Sequence, residues 1–157
     1  MKKLIALILT LTLVFALASC GSKPAEIKSA DLQAFYESTF VNENMPMMGM
    51  MEGEMLDAFY AGLSDLELKQ CIVAMPMISA VAAEVALVEV ADSADLEKVV
   101  EIFKARIQAQ IDGGAFYPAT VEAWEKHAEV VTNNNTVMLI CLDPKGDVVE
   151  KFNALFA

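Results

Sequence analysis

Six methionines lie close together in the first half of the chain, and their side chains could act as soft metal ligands. They fall within eleven residues and are Met45, Met47, Met48, Met50, Met51 and Met55. Thioether sulfur suits Cu(I), and spacings of two and three residues would let several sulfurs converge from one loop. Methionine is also a flexible filler of apolar gaps and an adaptable binding surface. Plain packing and a partner-binding flap therefore stay open beside copper binding.

Two cysteines, Cys71 and Cys141, fall on segments whose residue types favour β-strands. If those strands are neighbours, the two thiols could form a disulfide outside the cell and close a long loop. The alternative is a pair of buried thiols that pack as small apolar groups. The sequence does not fix the distance between the two residues, so both interpretations stay open.

The ionisable side chains do not form a catalytic set. His127 is the only histidine, and it lies beside Lys126 on an amphipathic segment with no nucleophile motif. The sequence also has no glycine-rich phosphate loop and no calcium loop of alternating acidic residues. We therefore expect a protein that is not an enzyme.

Arg106 is the only arginine of the chain, and Gln110 follows it one turn later on a predicted helix. A lone guanidinium in an acidic protein either bridges to a nearby carboxylate or binds an anion. Because carboxylates are abundant in this chain, we expect the ion pair.

The first twenty residues have the organisation of a secretory leader. Two lysines precede an apolar run of 15 residues from Leu4 to Ala18. A helix of that length rises roughly 22 Å, which is short of the ~30 Å hydrocarbon core, so a permanent membrane span is the weaker interpretation. A basic start, an apolar stretch and small residues before position 20 are typical of a cleaved signal peptide.

The end of this leader, Leu17-Ala18-Ser19-Cys20, resembles the lipobox of bacterial lipoproteins. The resemblance implies transfer of diacylglycerol, with acyl chains such as palmitate, to the Cys20 thiol and cleavage between Ser19 and Cys20. Each buried methylene contributes about 0.8 kcal/mol, and two chains hold a protein stably on a membrane. The protein would then lie on the extracytoplasmic face of the cell membrane, and no other cofactor is expected.

The charge of the chain is strongly negative. Its 157 residues carry 22 acidic and 11 basic side chains, for a net charge of −11, and loss of residues 1–19 with two lysines would change this to −13. Such a surface excludes a nucleic-acid binder that relies on a basic face and suits a body held off anionic lipid. We divide the chain into a signal peptide (1–19), a lipidated cysteine with a tether (20–27) and one domain (28–157).

The spacing of apolar residues predicts a small α+β sandwich. The elements follow the order α-β-β-α-α-β-α, with a mainly antiparallel sheet of three strands. We expect helices capped by Ser29, from Asp92 or Ser93 to Gly113, over 119–131 and over 147–156, and strands over 68–75, 84–90 and 136–142. The last strand is apolar on both faces. One face should meet the long helices, and the other should meet the first or last helix or a partner.

The segment from about Leu32 to Phe156 resembles a family of small bacterial lipoproteins, the domain of unknown function 4358. The residues that carry the resemblance are Met45-Pro46, Tyr60 with Leu63-Ser64-Asp65, the run 83–88, Arg106, Gln110, Phe116-Tyr117-Pro118 and the strand 137–142. The resemblance implies a secreted, lipid-anchored α+β domain with no assigned activity, and it adds no catalytic residues.

These observations lead to two functional expectations. The first is a membrane-anchored, extracytoplasmic domain that binds an unidentified envelope protein or ligand and does not catalyse a reaction. The alternative is an extracellular Cu(I)-binding protein that uses the methionines of segment 45–55.

Overall fold

A computed structural model describes residues 27–157. The signal peptide, Cys20 and the tether up to residue 26 lie outside the described residues. The described chain is an α+β domain, as the sequence predicts, but its antiparallel sheet has five strands and not three. None of the helices within residues 27–157 is long and apolar enough to cross a membrane.

Helices and strands are interspersed along the chain. The strands are β1 (Met48–Met50), β2 (Leu68–Pro76), β3 (Glu84–Val90), β4 (Ala128–Asn133) and β5 (Thr136–Cys141). The helices are α1 (Leu32–Phe40), α2 (Glu54–Phe59), α3 (Leu96–Ala109), α4 (Pro118–His127) and α5 (Val148–Ala154), and a π-helical turn over Gln110–Gly114 follows α3. The strand order is β1-β2-β3-β5-β4, and each neighbouring pair is antiparallel.

The two strands that were not predicted lie at the two edges of the sheet. β4 occupies the end of the segment predicted as helix 119–131, because α4 ends at His127 and the following residues form a hairpin with β5. The β-branched residues of β4 and the positive φ of Asn134 (49°) favour a tight hairpin over another turn of helix. β1 has only three residues, which is too short for strand alternation to be seen in the sequence.

Helices cover both faces of the sheet. We call the side on which α2, α3 and α4 pack the α3 face, and the side on which α1 and α5 pack the α1 face. Phe35 and Phe152 lie in the core of the α1 face, whereas Phe103 and Trp124 lie in the core of the α3 face. The central strands β3 and β5 are therefore buried on both sides, which confirms the expectation for the last strand.

The start of α1 differs from the prediction. The helix begins at Leu32, and its N-cap is Asp31, whose carboxylate accepts a hydrogen bond from the Ala34 amide at 2.9 Å. Ser29 was predicted to cap this helix, but its hydroxyl donates to the Glu89 carboxylate at 2.8 Å. That contact ties the chain before α1 to the central strand.

Strand β3 carries two buried carboxylates, one on each face of the sheet. Glu89 lies on the α1 face, where it accepts a hydrogen bond from the Gln70 amide at 2.6 Å and pairs with Lys69 at 3.4 Å. Glu84 lies at the other end of β3 on the α3 face. A buried carboxylate requires donors or a counter-charge, and the partners of Glu84 define the site described next.

Candidate functional site

A cavity opens on the α3 face, at the end of the sheet where β2 ends and β3 begins. Its volume is about 290 Å³. Its floor contains Glu84 of β3, Arg106 of α3 and Trp124 of α4, and all three residues are buried. Its edge is formed by the chain that follows β2, by Phe59 of α2 and by the π-helical turn. Several elements thus bring charged and aromatic side chains together at the bottom of one depression.

The floor is built around a bidentate ion pair. Nε of Arg106 donates to Oε1 of Glu84 at 2.8 Å, and Nη2 donates to Oε2 at 2.7 Å. Val99, Phe103 and Arg106 are the buried positions of α3, so the guanidinium occupies the helix face that packs on the sheet. The ion pair expected for Arg106 is confirmed, and Glu84 is its partner.

Tyr60, the residue after α2, completes the coordination of the carboxylate by donating its hydroxyl to Oε1 of Glu84. Burial, followed by the charge of Glu84, raises the pKa of Tyr60 well above its ordinary value. Burial lowers the pKa of Arg106, but the hydrogen bond and charge of Glu84 outweigh that effect and raise it. Tyr60 therefore remains a neutral donor and Arg106 remains a cation.

Three aromatic rings surround the guanidinium. Cζ of Arg106 lies 5.0 Å from the centre of the Phe59 ring, 5.7 Å from that of Trp124 and 5.8 Å from that of Tyr60. These distances are within the ~6 Å over which a cation is attracted to a ring face. The ion pair uses Nε and Nη2, so the Nη1 edge of the guanidinium takes no part in it.

The π-helical turn after α3 depends on two glycines. Gly113 has a φ of 136°, which is strained for other residues. A Cβ on Gly114 would lie 2.8 Å from the Ala109 carbonyl oxygen and would overlap the side-chain amide of Gln110. Glycine at position 114 therefore lets the Gln110 amide lie over the turn, where both residues line the cavity. Such π-helical turns are frequent at functional sites.

Large apolar side chains lie in solvent beside the mouth of the cavity. Phe116 is 81% exposed, Met77 is 67% exposed and Ile78 is 59% exposed. Phe116 packs edge-to-face on Tyr117, with ring centres 5.3 Å apart. Met77 lines the cavity itself. Ile78 and Phe116 directly follow the lining residues Met77 and Ala115 in the chain. An exposed apolar patch next to a cavity is typical of a binding surface.

The charges of the site neutralise each other, and its lining lacks histidine and cysteine, two common metal ligands, in the described residues. Both charges of the ion pair are compensated, and Glu84 already accepts hydrogen bonds from Arg106 and Tyr60. The residues that line the cavity in the described part of the chain include neither histidine nor cysteine. Within residues 27–157, no three His, Cys, Asp or Glu side chains are placed to hold a metal ion.

The structure divides the six methionines of segment 45–55 between the two faces of the sheet. Met45 and Met48 pack against the core of the α1 face, whereas Met51 packs against the core of the α3 face. The other three, Met47, Met50 and Met55, are exposed. Met45 and Met48 therefore lie across the sheet from Met51, so the six sulfurs do not share one site.

The two cysteines on strands are both free thiols. Cys71 on β2 is paired with Val88 of β3, and Cys141 on β5 is paired with Glu84 of the same strand. A whole strand therefore lies between them, and their pairing positions are four residues apart. Strands are about 4.8 Å apart, and a disulfide needs Cα atoms within about 7 Å, so the disulfide alternative is not formed.

Sequence reasoning singled out Arg106 and Gln110, whereas Tyr60 and the run that contains Glu84 were named only for the family resemblance. The signal was present in the pattern, because Glu84 and Glu89 are the two charged residues of an otherwise apolar strand and Arg106 falls on the apolar stripe of α3. A charged residue at a position that the pattern assigns to the core needs a partner. Two such residues of opposite charge are therefore candidates to pair with each other. Tyr60 gave no comparable signal.

The chain matches a known protein family. Residues 41–142 match the family described as Domain of unknown function (DUF4358). The matched segment contains all five strands and every residue that lines the cavity. No curated protein and no solved structure matches the chain. Because the match covers more than half of the sequence, this protein belongs to the family of the domain of unknown function DUF4358.

Proposed function

We propose that this protein is a lipid-anchored, extracytoplasmic binding domain that does not catalyse a reaction. Its ligand site is the cavity above the Arg106–Glu84 ion pair. The observation that carries the proposal is the combination of a buried floor whose two charges neutralise each other with an exposed apolar edge. A concave site with a few convergent polar groups and mainly apolar walls is the usual form of a ligand pocket.

The pattern of exposure supports binding at this place. Phe116 and Met77 are among the most exposed large apolar side chains of the described residues; Met77 lines the cavity, and Phe116 follows the lining residue Ala115. Leaving such groups in water has a cost of about 25 cal/mol per Å² of apolar surface, which a bound partner would remove. The ion pair fixes the floor, so the site is formed before the ligand arrives.

The lipobox-like sequence of residues 17–20 supports the extracytoplasmic location. These residues lie outside the described part of the chain, and their sequence is the reason for placing the domain on the outer face of the cell membrane. The cavity would then be open to envelope components, whether proteins or small ligands. The net charge of −13 expected for residues 20–157 would keep the domain off anionic headgroups.

Photo-crosslinking in intact cells tests the proposal. A benzophenone amino acid is placed at Phe116, beside the cavity, or at Val41, which is similarly exposed but follows α1. We expect a crosslinked adduct at position 116 and none at position 41.

A blocking variant shows whether the adduct requires the cavity. Ser79 is exposed and lines the cavity, whereas its neighbour Ala80 is exposed and does not line it. Ser79→Tyr should therefore abolish the adduct, and Ala80→Tyr should leave it unchanged. Equal adducts from positions 116 and 41, or an adduct that persists in Ser79→Tyr, would contradict the proposal.

A further inference from the structure

The charges in the cavity define the chemical class of the ligand. We infer that the site takes an uncharged group that combines an aliphatic or aromatic body with a carbonyl acceptor, as in a peptide amide. This inference rests on the proposed function and goes beyond it. The juxtaposition that carries it is a self-neutralised ion pair on the floor, side-chain donors beside it and apolar walls around it.

The ion pair disfavours a charged ligand. Glu84 and Arg106 are the charged residues among those that line the cavity, and each is bonded to the other. A ligand carboxylate or ammonium would lose its hydration without meeting an uncompensated counter-charge, which is costly. The acidic body of the protein adds a long-range repulsion for anions. An uncharged ligand meets neither penalty.

Two donors remain available to an acceptor on the ligand. The Nη1 edge of Arg106 is not used by the ion pair, and Arg106 lines the cavity while 94% of it is buried. The Gln110 amide lies one turn later at the edge of the same cavity. A carbonyl oxygen accepts two hydrogen bonds, so it can use both donors.

The remaining walls suit an apolar body of limited size. Trp124 and Ala115 form buried apolar surface on one side, and Met75 and Pro76 form half-buried surface on the other. A volume of about 290 Å³ is at the small end of the range for ligand pockets, roughly 300–1,000 Å³. The space therefore suits one amino-acid-sized group. Methionine adapts its shape to such a group without a fixed geometry.

The single tryptophan makes occupancy of the cavity directly measurable. Trp124 is the only tryptophan in the chain and lines the cavity, so its indole N–H gives one resonance in a ¹⁵N–¹H spectrum. The full chain, labelled with ¹⁵N and held in unlabelled lipid nanodiscs, is titrated with three leucine probes. These are uncharged N-acetyl-leucinamide, the carboxylate N-acetyl-leucine and the cation leucinamide, at a pH where each is in the stated form.

We expect a saturable shift of the indole resonance with N-acetyl-leucinamide, and binding of the two charged probes weaker by about tenfold or more. Gln110→Leu should weaken binding of the amide by about threefold to tenfold, the effect of one neutral hydrogen bond. Gln108→Leu is the matched control, because Gln108 is on α3, bonds to Asp112 at 2.8 Å and does not line the cavity. It should leave the affinity unchanged.

The failures of the two proposals are distinguishable. Tighter binding of a charged probe, or an unchanged affinity in Gln110→Leu, overturns the ligand class but leaves the cavity as the binding site. No indole shift with the amide up to its solubility limit also overturns the ligand class, and the crosslink at Phe116 then decides the proposed function separately. If the amide binds but the crosslink is absent, the cavity is competent and the envelope-binding role is wrong.

A longer probe identifies the source of the group. Phe116 and Tyr117 are exposed beside the mouth, where they would contact residues that flank a bound leucine. A capped Ala-Ala-Leu-Ala-Ala peptide should therefore bind tighter than N-acetyl-leucinamide, by about tenfold, if the ligand is a polypeptide segment. Equal affinities support a small uncharged molecule. Both results agree with the inferred chemistry.

Discussion

Arg106 and Glu84 face each other edge to edge across the boundary between α3 and the sheet, with N–O distances of 2.8 and 2.7 Å and both side chains buried. A buried pair of this kind adds little net stability, because desolvation of the two charges offsets their attraction. Its geometry does fix the position of the helix on the strand, since only one placement satisfies both hydrogen bonds. The pair therefore fixes the position of α3 over β3 at the cavity floor.

Removal of one partner of this ion pair should be strongly destabilising. Arg106→Leu leaves the Glu84 carboxylate buried without its counter-charge, and we expect a loss of roughly 3–5 kcal/mol in the free energy of unfolding. The second substitution, Glu84→Leu in the same chain, should restore more than half of that loss. Urea unfolding followed by Trp124 fluorescence measures both variants.

A surface pair on the same helix serves as the control for that experiment. Lys104 and Glu101 form an exposed ion pair at 2.9 Å, and Lys104→Ala should leave the unfolding midpoint unchanged within error. A double variant as unstable as Arg106→Leu would show that the packing of the long side chains, and not the uncompensated charge, causes the loss.

The difference between the predicted and observed folds is concentrated at the sheet edges. The central strands β3 and β5 were predicted because continuous apolar runs are typical of strands buried on both faces. β4 was missed because Val121, Trp124 and Ala128 have helical spacing, and that local signal competes with the hairpin at Asn134. Pairing with β5 selects the strand over the helix. This pairing is a tertiary contact, so a short stretch of sequence does not reveal it.

The candidate site was predicted only in part for a similar reason. Arg106 was recognised as one half of an ion pair, because it is the sole arginine in an acidic chain. Its partner is 22 residues earlier and its aromatic neighbours come from α2 and α4, so the site exists only after the sheet and three helices have packed. The cavity and the arrangement of its mouth carry no local signature in the sequence.

Stability should fall at alkaline pH, in two stages. Burial raises the pKa of Cys71 from 9.0 to about 11 and that of Cys141 from 9.0 to about 12. Burial together with Glu84 raises the pKa of Tyr60 above 10.0. As pH rises, each group ionises first in the unfolded chain, which then binds fewer protons than the folded one. The group's contribution to folding stability is therefore present below the unfolded pKa and is lost as pH rises toward the folded pKa. Urea unfolding from pH 8 to 11 measures this loss.

Single substitutions assign the two stages. Cys71→Ala and Cys141→Ala should each remove part of the decrease that begins near pH 9, and Tyr60→Phe should flatten the part above pH 10. Phenylalanine also removes the hydroxyl donor to Glu84, so Tyr60→Phe should lower stability at neutral pH as well. A profile that is flat to pH 11 in the unsubstituted chain would contradict the protonated state of the two thiols and the phenol in the folded chain.

Gly114 should tolerate no side chain. Gly114→Ala places a Cβ 2.8 Å from the Ala109 carbonyl oxygen and on the Gln110 amide, so the π-helical turn must shift, at a cost of about 1–3 kcal/mol. Gly49→Ala is the matched control, because its Cβ would meet no atom closer than 3.5 Å. Thermal unfolding of the two variants should differ accordingly, and an equal melting temperature would show that the turn adapts freely.

The proposed lipid anchor depends on a single sulfur, so Cys20 is the residue whose replacement should change the location of the whole protein. Mass spectrometry of the mature chain should show an N-terminus at Cys20 that carries diacylglycerol, and the chain should partition into detergent. Cys20→Ser cannot form the thioether, so it should carry no acyl group. Cys71→Ser provides the control, because Cys71 lies on β2 within the folded domain and its loss should leave acylation intact.

An unacylated mature N-terminus, or retention of residues 1–19, in the unsubstituted chain would remove the reason for placing the cavity outside the cell. The geometry of the site would be unchanged, but its ligand would then have to come from another compartment. Because two acyl chains hold a protein stably whereas one holds it only marginally, the number of chains found also decides whether the domain is permanently fixed to the membrane. A doubly acylated Cys20 predicts that the cavity meets only ligands that reach the outer surface of that membrane.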